Sequence, residues 1–488
     1  MQLDRSTSMT TSELNGRGLR LLVAIASYGE KNVEFLKQII QRYRSMAMEV
    51  DLVVLSDAPK DLGAGVKVVV GLPSRSPWSL PFAHKAIFAQ NVDRYDLFIY
   101  SEDDMDVTEA NIQAFLSATP QLETEDIVGY LRYEVDQSRI MFLPDVHGGS
   151  HWKPESVRRR GAYMIAEFTN EHAGFYILTQ TQLRRAIASG GFLQSPYEGR
   201  YGLPETAATD PYTSCGFRKV ICISALDNFL IHHMSNRYAG QVGLPLTSFK
   251  KQVQTLMDIC DGTHPASTLC KAESKFLHCK WFKNYYENPN EEVLDLVPDD
   301  VKTILSVGCG WGATENRLKQ RGAEVTALPL DSVIGAAAAR LGIEVIYGTL
   351  EECLSNLEGR RFDCVLISNL LHLQPNPIDV LQRCSLFVRE GGTLVVCNPN
   401  FGRIPVMLRR AFGMGDYKKL RSFSLAGINP YGMNLMKRQL KRLGFRTVAV
   451  QWFDRTPSRN LVAIRRCLGR FMAADWILKS QQRPVSPS

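Results

Sequence analysis

A chain of 488 residues exceeds one ordinary hydrophobic core, so two or three domains are expected. Its composition, 45% hydrophobic and 22% charged, excludes a disordered chain and a membrane-embedded one, and its net charge of +7 fits an acidic partner such as a nucleotide sugar or a membrane surface. No nucleic-acid-binding module is evident in the sequence. The eleven cysteines are scattered, with neither a CxxC pair nor zinc-ligand spacing, which points to a reducing compartment. The N-terminus is polar where a signal peptide is apolar, and no run is long enough to span a bilayer. The expected location is therefore the cytoplasm, with peripheral contact at the inner face of the membrane allowed.

Residues 1–18 read as a flexible lead-in. A buried apolar strand over 19–26 ends in Ser27, Tyr28 and Gly29. A helix over 32–46 follows, with Val33, Leu36, Ile39, Ile40 and Tyr43 at helical spacing. The second strand ends at Asp57, a third covers 66–70, and a helix around 84–92 carries Lys85. The next strand, 95–101, runs directly into Glu102, Asp103 and Asp104. Adjacent carboxylates repel one another, and they stand where open α/β sheets bind ligands. A Mg²⁺ or Mn²⁺ ion carrying a diphosphate would neutralise them; a solvated helix cap formed with Asp106 and Thr108 is the alternative. Glu205, Asp210 and Glu171 are candidates for the carboxylate that deprotonates an acceptor hydroxyl. An apolar run at 227–231 leads to His232 and His233, of which His233 is a candidate metal ligand.

With strand order and the SEDD stretch at 101–104 in view, residues 18–255 resemble the GT-A glycosyltransferases. The resemblance implies a nucleotide-sugar donor and an acidic metal motif. Asp104 would coordinate Mn²⁺ or Mg²⁺ directly, with Glu102 and Asp103 facing the nucleoside and the outer shell of the metal. Ser27, Tyr28 and Asp57 would hold base and ribose, Lys85 would reach the diphosphate, and His233 would join the metal shell.

Glycines and prolines break the pattern over 240–280, and a helix over 249–259 precedes a turn cluster. The second half is organised around TILSVGCGWGAT, 303–314, a strand followed by a turn with glycines at 308, 310 and 312. Such a turn lets a ligand approach the backbone and points free N–H groups at it from the start of the next helix. Strands over 324–328, 344–347, 361–368 and 391–397 alternate with helical stretches, giving a mostly parallel sheet. A last strand covers 447–453. Residues 459–480 place Arg465, Arg466 and Arg470 beside Leu468, Trp476 and Ile477, which reads as an amphipathic helix docked on the domain or on a membrane surface.

VGCGWG, FDCVLISNLLHL at 362–373 and LQRCSLFVREGGTLVV at 381–396 together resemble the class I S-adenosylmethionine-dependent methyltransferases. The resemblance implies that Gly308, Gly310 and Gly312 wrap the methionine and ribose end of the cofactor. Two positions depart from the family pattern. Ser306 stands where an acid is usual, and Pro329 stands where an acid usually ends the second strand. Asp331, two residues on, either substitutes for that acid or caps the next helix. Thr349 sits where an adenine-contacting acid is common, and Tyr285 and Tyr286 fall where a tyrosine helix often overlies the cofactor. Asn369 is assigned to the cofactor, and His372 to orienting an acceptor hydroxyl or to packing.

The expected architecture is α/β in two domains: a flexible N-terminus 1–18, a GT-A-like domain 19–255, a linker 256–280, a Rossmann-like class I methyltransferase domain 281–455, and a basic C-terminal helix and tail 456–488. The expected function is bifunctional. A sugar passes from a nucleotide donor, and a methyl group passes from S-adenosylmethionine to a glycan or lipid-linked carrier, with no obligate protein partner. The alternatives are a methyltransferase with a non-catalytic sugar-binding domain, or a scaffold that binds both ligands without turnover.

Overall fold

The computed structural model describes residues 18–276, 280–453 and 471–483. The lead-in and most of the basic region after 453 lie outside the described residues. The chain divides into two compact units, one of Met1–Val146 with Arg158–Phe249, the other of His147–Val157 with Lys250–Ser488. No helix among the described residues is long and apolar enough to cross a membrane.

The first unit is built on β1 (Arg20–Ser27), β2 (Glu49–Ser56), β3 (Val66–Val70) and β4 (Leu97–Glu102). They form a parallel sheet in the order β4-β1-β2-β3. The interiors of β1 and β4 are continuous apolar runs because both faces are covered. One cover is α1 (Val33–Arg44), which buries Leu36, Ile39, Ile40 and Tyr43. Parallel register brings Ser27 opposite Ser56 and Ala26 opposite Glu102, so the ends of β1, β2 and β4 share one edge. A second small sheet begins just past that edge with β5 (Met105–Asp106). In it β8 (Leu230–His233) pairs antiparallel with β5 and parallel with β6 (Leu131–Val135). β7 (Phe175–Thr179) closes the first sheet antiparallel to β4.

The second unit holds β9 (Thr303–Cys309), β10 (Glu324–Pro329), β11 (Glu344–Val345), β12 (Phe362–Ser368), β13 (Val388–Pro399), β14 (Phe445–Phe453) and β15 (Asp475–Gln482). Their order is β11-β10-β9-β12-β13-β15-β14. This is the doubly wound sheet expected from the alternating βα pattern, with a switch point beside β9. One expectation fails. Trp476 and Ile477, read as one face of a helix, lie in β15, which runs antiparallel between β13 and β14. Trp476, Ile477 and Leu478 are all fully buried, which a strand inside a sheet permits and a surface helix does not. The stretch read as a linker also differs. α4 (Leu246–Cys260) spans the division, and residues 264–276 pack onto the second unit instead of bridging solvent.

Trp476→Ala leaves a void beside a strand that is paired on both sides within the seven-stranded sheet. It is expected to lower the unfolding free energy of the second unit by about 3–5 kcal/mol, read by denaturant titration. A loss below about 0.5 kcal/mol, as at an exposed site, would contradict the placement of β15 between β13 and β14.

Candidate functional site

At the strand-exit edge of the first unit, Asp103 accepts a hydrogen bond from Asn32 Nδ2 at 2.8 Å. Asp57 accepts from the Gly29 amide at 2.8 Å, and Lys60 Nζ donates to Ser27 O and Oγ at 2.9 Å each. Tyr28 projects into solvent. The structure thus gathers Ser27, Asp57, Glu102, Asp103 and Asp104, and adds Asn32 and Lys60, which the sequence reading missed. Burial pushes the Glu102 carboxyl up to about 7, with the Asp104 charge adding to it. Burial also raises Asp103, the Asn32 hydrogen bond opposing.

Asp104 behaves differently because of β8. The register sets His233 opposite Met105, so its ring meets Asp104, the residue before. His233 Nε2 lies 2.9 Å from Asp104 Oδ2, and Nδ1 lies 2.5 Å from Glu134 Oε1. Burial alone would lower the imidazole, but the hydrogen bonds to Asp104 and Glu134 outweigh it and raise its pKa to about 9. For Asp104 the balance is opposite: burial would raise it, and the bond to His233 holds it below the usual carboxylate range. Arg132, bidentate to Asp145 at 2.7 and 2.8 Å, adds positive charge nearby. A metal ligand must offer a free lone pair, and both ring nitrogens of His233 are engaged, Nε2 by Asp104 and Nδ1 by Glu134. These residues therefore do not fit a divalent ion as arranged. Among the described residues no group of three His, Cys, Asp or Glu side chains is placed to hold one.

Two other assigned residues find each other. Lys85, on α2 (Ala83–Gln90), forms a buried ion pair with Asp210, on α3 (Leu203–Thr213), and Tyr197 donates to the same carboxylate at 2.7 Å. Burial pulls the Lys85 ammonium down, with Asp210 opposing. Glu171 is tied to Arg200 at 3.0 Å. Glu205, in the first turn of α3, is partly exposed, and its charge acts on Glu102.

In the second unit Gly308 sits at the irregularity between β9 and β10 with φ +80°, a conformation that needs glycine. Ser306 Oγ donates to Glu315 Oε1 at 2.7 Å, both buried. Glu315 lies on α5 (Ala313–Gln320), so a carboxylate stands beside Ser306 after all, supplied by the helix. Asp331 caps α6 (Ser332–Arg340) by accepting from the Ile334 amide at 2.7 Å. Burial pushes its carboxyl up to about 7. Thr349 caps α7 (Leu350–Asn356). Asn369, at φ +51°, directly follows β12, and its buried Oδ1 meets no hydrogen-bond partner among the described residues. His372 is fully buried, Nε2 at 2.8 Å from Trp281 O and Nδ1 at 3.2 Å from Asn398 Oδ1. Tyr285 and Tyr286 lie in a turn, not on a helix.

A strap of the chain's own residues crosses this edge. Ser332 N donates to Ser267 O, Leu269 N to Leu330 O, and Leu350 N to Leu269 O, each at 2.9 Å, and Thr268 forms an antiparallel bridge with Asp331. Leu269 is buried in the cluster that holds Leu328, Leu330 and Leu350. Over the glycine turn, Trp311 N donates to Tyr285 O at 3.0 Å, and a Cβ on Gly310 would lie 2.6 Å from that oxygen. The space the glycine leaves is taken by the chain itself. The strap and the Tyr285 carbonyl stand at the edge where the sequence reading places S-adenosylmethionine. Thr268 contacts Asp331, Leu269 contacts Leu330 and Leu350, and the Tyr285 carbonyl contacts Trp311, all beside the candidate cofactor residues. An open cleft of about 620 Å³ borders the strap at Ala266, Ser267, Tyr347 and Gly348.

The family model described as methionine biosynthesis protein MetW matches residues 288–414, within this unit. The ubiquinone biosynthesis O-methyltransferase of Pseudomonas paraeruginosa is 34% identical over 106 residues, 20% of this chain and 45% of that protein. The enzyme of the same description from Nitrosomonas europaea is 30% identical over 133 residues, 24% of this chain and 57% of that protein. The chain thus spans about half the length of the curated relatives it matches. Among solved structures, an S-adenosylmethionine-dependent methyltransferase from Archaeoglobus fulgidus aligns at 16% identity and a TM-score of 0.30, covering 39% of this chain and 90% of that one. The chain is thus similar in sequence to methyltransferases over about a fifth to a quarter of its length.

The capping role of Asp331 generates a pH-dependent expectation. An acid raised on folding contributes stability that is full below its unfolded pKa of about 4 and is lost as pH rises through about 7. Asp331→Asn keeps the cap and removes the ionisation. Its melting temperature should exceed the wild type's by several degrees at pH 8, the gain shrinking as pH falls toward 4. A gain that does not vary with pH would contradict the assignment.

Proposed function

We propose that the second unit is an S-adenosylmethionine-dependent methyltransferase whose cofactor place is covered, in this state, by residues 264–276. The observation that carries the reading is the glycine turn at the end of β9, in a sheet of this order and within the segment similar to methyltransferases. When bound, the cofactor supplies an electrophilic methyl group. The chain's own residues supply position. Gly308 forms the turn, the buried Asn369 Oδ1 offers an acceptor that nothing in the fold uses, and Asn398 and the Trp281 carbonyl fix the His372 ring. The start of the strap, Pro265 to Ser267, borders the open cleft, while Leu269 must leave the buried cluster for the place to open. The curated relatives are ubiquinone biosynthesis O-methyltransferases, which favours oxygen as the methylated atom, on a glycan or lipid-linked acceptor.

A covered site weakens apparent affinity by the fraction of molecules that are open. Leu269→Pro deletes both the N–H that holds Leu330 and the side chain that fills the place. Calorimetry of the full chain with S-adenosylhomocysteine is expected to show binding about tenfold tighter in Leu269→Pro than in wild type. Equal affinities would remove the strap from the account. No heat from either protein would overturn the methyltransferase reading, and with it the scaffold that binds S-adenosylmethionine without turnover.

For the first unit, the strand order and the carboxylates gathered at the edge of β4 support a nucleotide-sugar site, with Glu205 as the exposed candidate base. His233 and Arg132 balance the acids, so this reading does not require a divalent ion. Donor turnover is expected to be unchanged in chelator and to fall at least about tenfold in His233→Ala, because truncation leaves Asp104 and Glu134 buried without their partner. Loss of turnover in chelator, restored by Mn²⁺, would return the ion to the site.

A further inference from the structure

We propose that the face formed by α8 (Ile404–Ala411) and the turn after it docks on an anionic lipid bilayer. α8 buries a single residue, Val406. Its other apolar side chains face solvent: Met407 and Leu408 are about half exposed, and Phe412, just beyond the helix, is 76% exposed. Met414 projects in the same way from a turn made by Gly413 and Gly415, around which no atom comes within 4 Å of an added Cβ. A large hydrophobic residue left out singly means little; four exposed within eight residues form a surface with no partner among the described residues.

The charge around this surface selects the partner. Between residues 401 and 421 the chain carries Arg403, Arg409, Arg410, Lys418, Lys419 and Arg421 against one acid, Asp416. Arg409 is engaged with the Tyr417 hydroxyl at 3.0 Å and Lys419 with Asp416 at 2.8 Å. Arg410, Lys418 and Arg421 extend outward. The core of a protein interface is depleted of charge. An element that lies in a membrane surface has the composition seen here, Phe and Leu at the tip with Arg and Lys alongside. Basic residues then meet the negative potential of anionic lipid while the apolar tips enter the headgroup boundary. α8 follows directly from the end of β13, on the strand-exit side of the sheet. Docking there would hold the glycine-turn edge toward the lipid, where a lipid-linked acceptor resides. The proposal stands whether or not the unit binds S-adenosylmethionine.

The test is co-sedimentation of the full chain with vesicles of phosphatidylcholine alone and with about a third phosphatidylglycerol. The wild type is expected to sediment with the anionic vesicles only. Leu408→Ser with Phe412→Ser, and separately Arg410→Gln with Lys418→Gln, should each lower the partition coefficient by at least about tenfold. Both pairs should leave the melting temperature unchanged, since the replaced side chains are exposed. Absence of wild-type sedimentation, equal sedimentation with both vesicle types, or variants that bind as well as wild type would overturn the proposal. So would a dimer in sedimentation equilibrium that Phe412→Ser dissociates in the absence of vesicle binding, which would assign the face to a second copy of the chain.

Discussion

The second unit depends on the pair of main-chain hydrogen bonds made by Leu269, one given to Leu330 and one received from Leu350. Leu330 directly follows β10, and Leu350 opens α7 just after its Thr349 cap. A buried peptide group must be paired, and here the strap does the pairing. On the function proposed above, the same hydrogen bonds that complete the fold also cover the cofactor edge. Leu269 adds an apolar side chain to the cluster beneath, and the Tyr285 carbonyl does the equivalent over Gly310. Opening the site costs those contacts and returns the freed groups to water or to a ligand, so cofactor affinity and strap stability are linked quantities.

In the first unit the governing constraint is electrostatic. Glu102, Asp103 and Asp104 arrive together at the end of a buried strand, and three ionised carboxylates there would be costly. The fold responds unevenly. Glu102 is pushed up to about 7, Asp103 leans on Asn32, and Asp104 is held down by His233. His233 in turn is raised by Asp104 and Glu134, so its charge contributes stability in full below about 6.5 and loses it as pH rises through about 9. A cation was the expectation from the acids alone, and the cation found is a side chain.

The sheets were legible because their strands are continuous apolar runs punctuated by glycine and acid, as in Thr303–Cys309 and Leu97–Glu102. The carboxylate edge was legible for the same reason: strand ends announce themselves. Side-chain partners drawn from distant sequence were not. Nothing in the neighbourhood of Glu134 or Arg132 marks them as facing Asp104; only the register between β6, β8 and β5 does so. Lys85 and Asp210 looked like separate functional residues because the burial of α2 against α3 cannot be read from either segment. The C-terminal strand β15 was read as a helix because Trp476 and Ile477 continue a plausible helical spacing from residues upstream, while the pairing that makes them a strand lies some eighty residues back in β13. The strap was invisible for a simpler reason. Residues 264–276 have the turn-rich composition of a linker, and a linker's docking surface is not written in the linker.

The central claim is that Leu269 and S-adenosylmethionine compete for one place. Amide hydrogen exchange of the full chain, followed at Leu269 and Leu350 with and without S-adenosylhomocysteine, tests it most directly. The account predicts that both amides are protected in the free protein, and that ligand exposes the Leu269 amide while Leu350 stays protected by its new partner. Protection at Leu269 that persists at saturating ligand would contradict it.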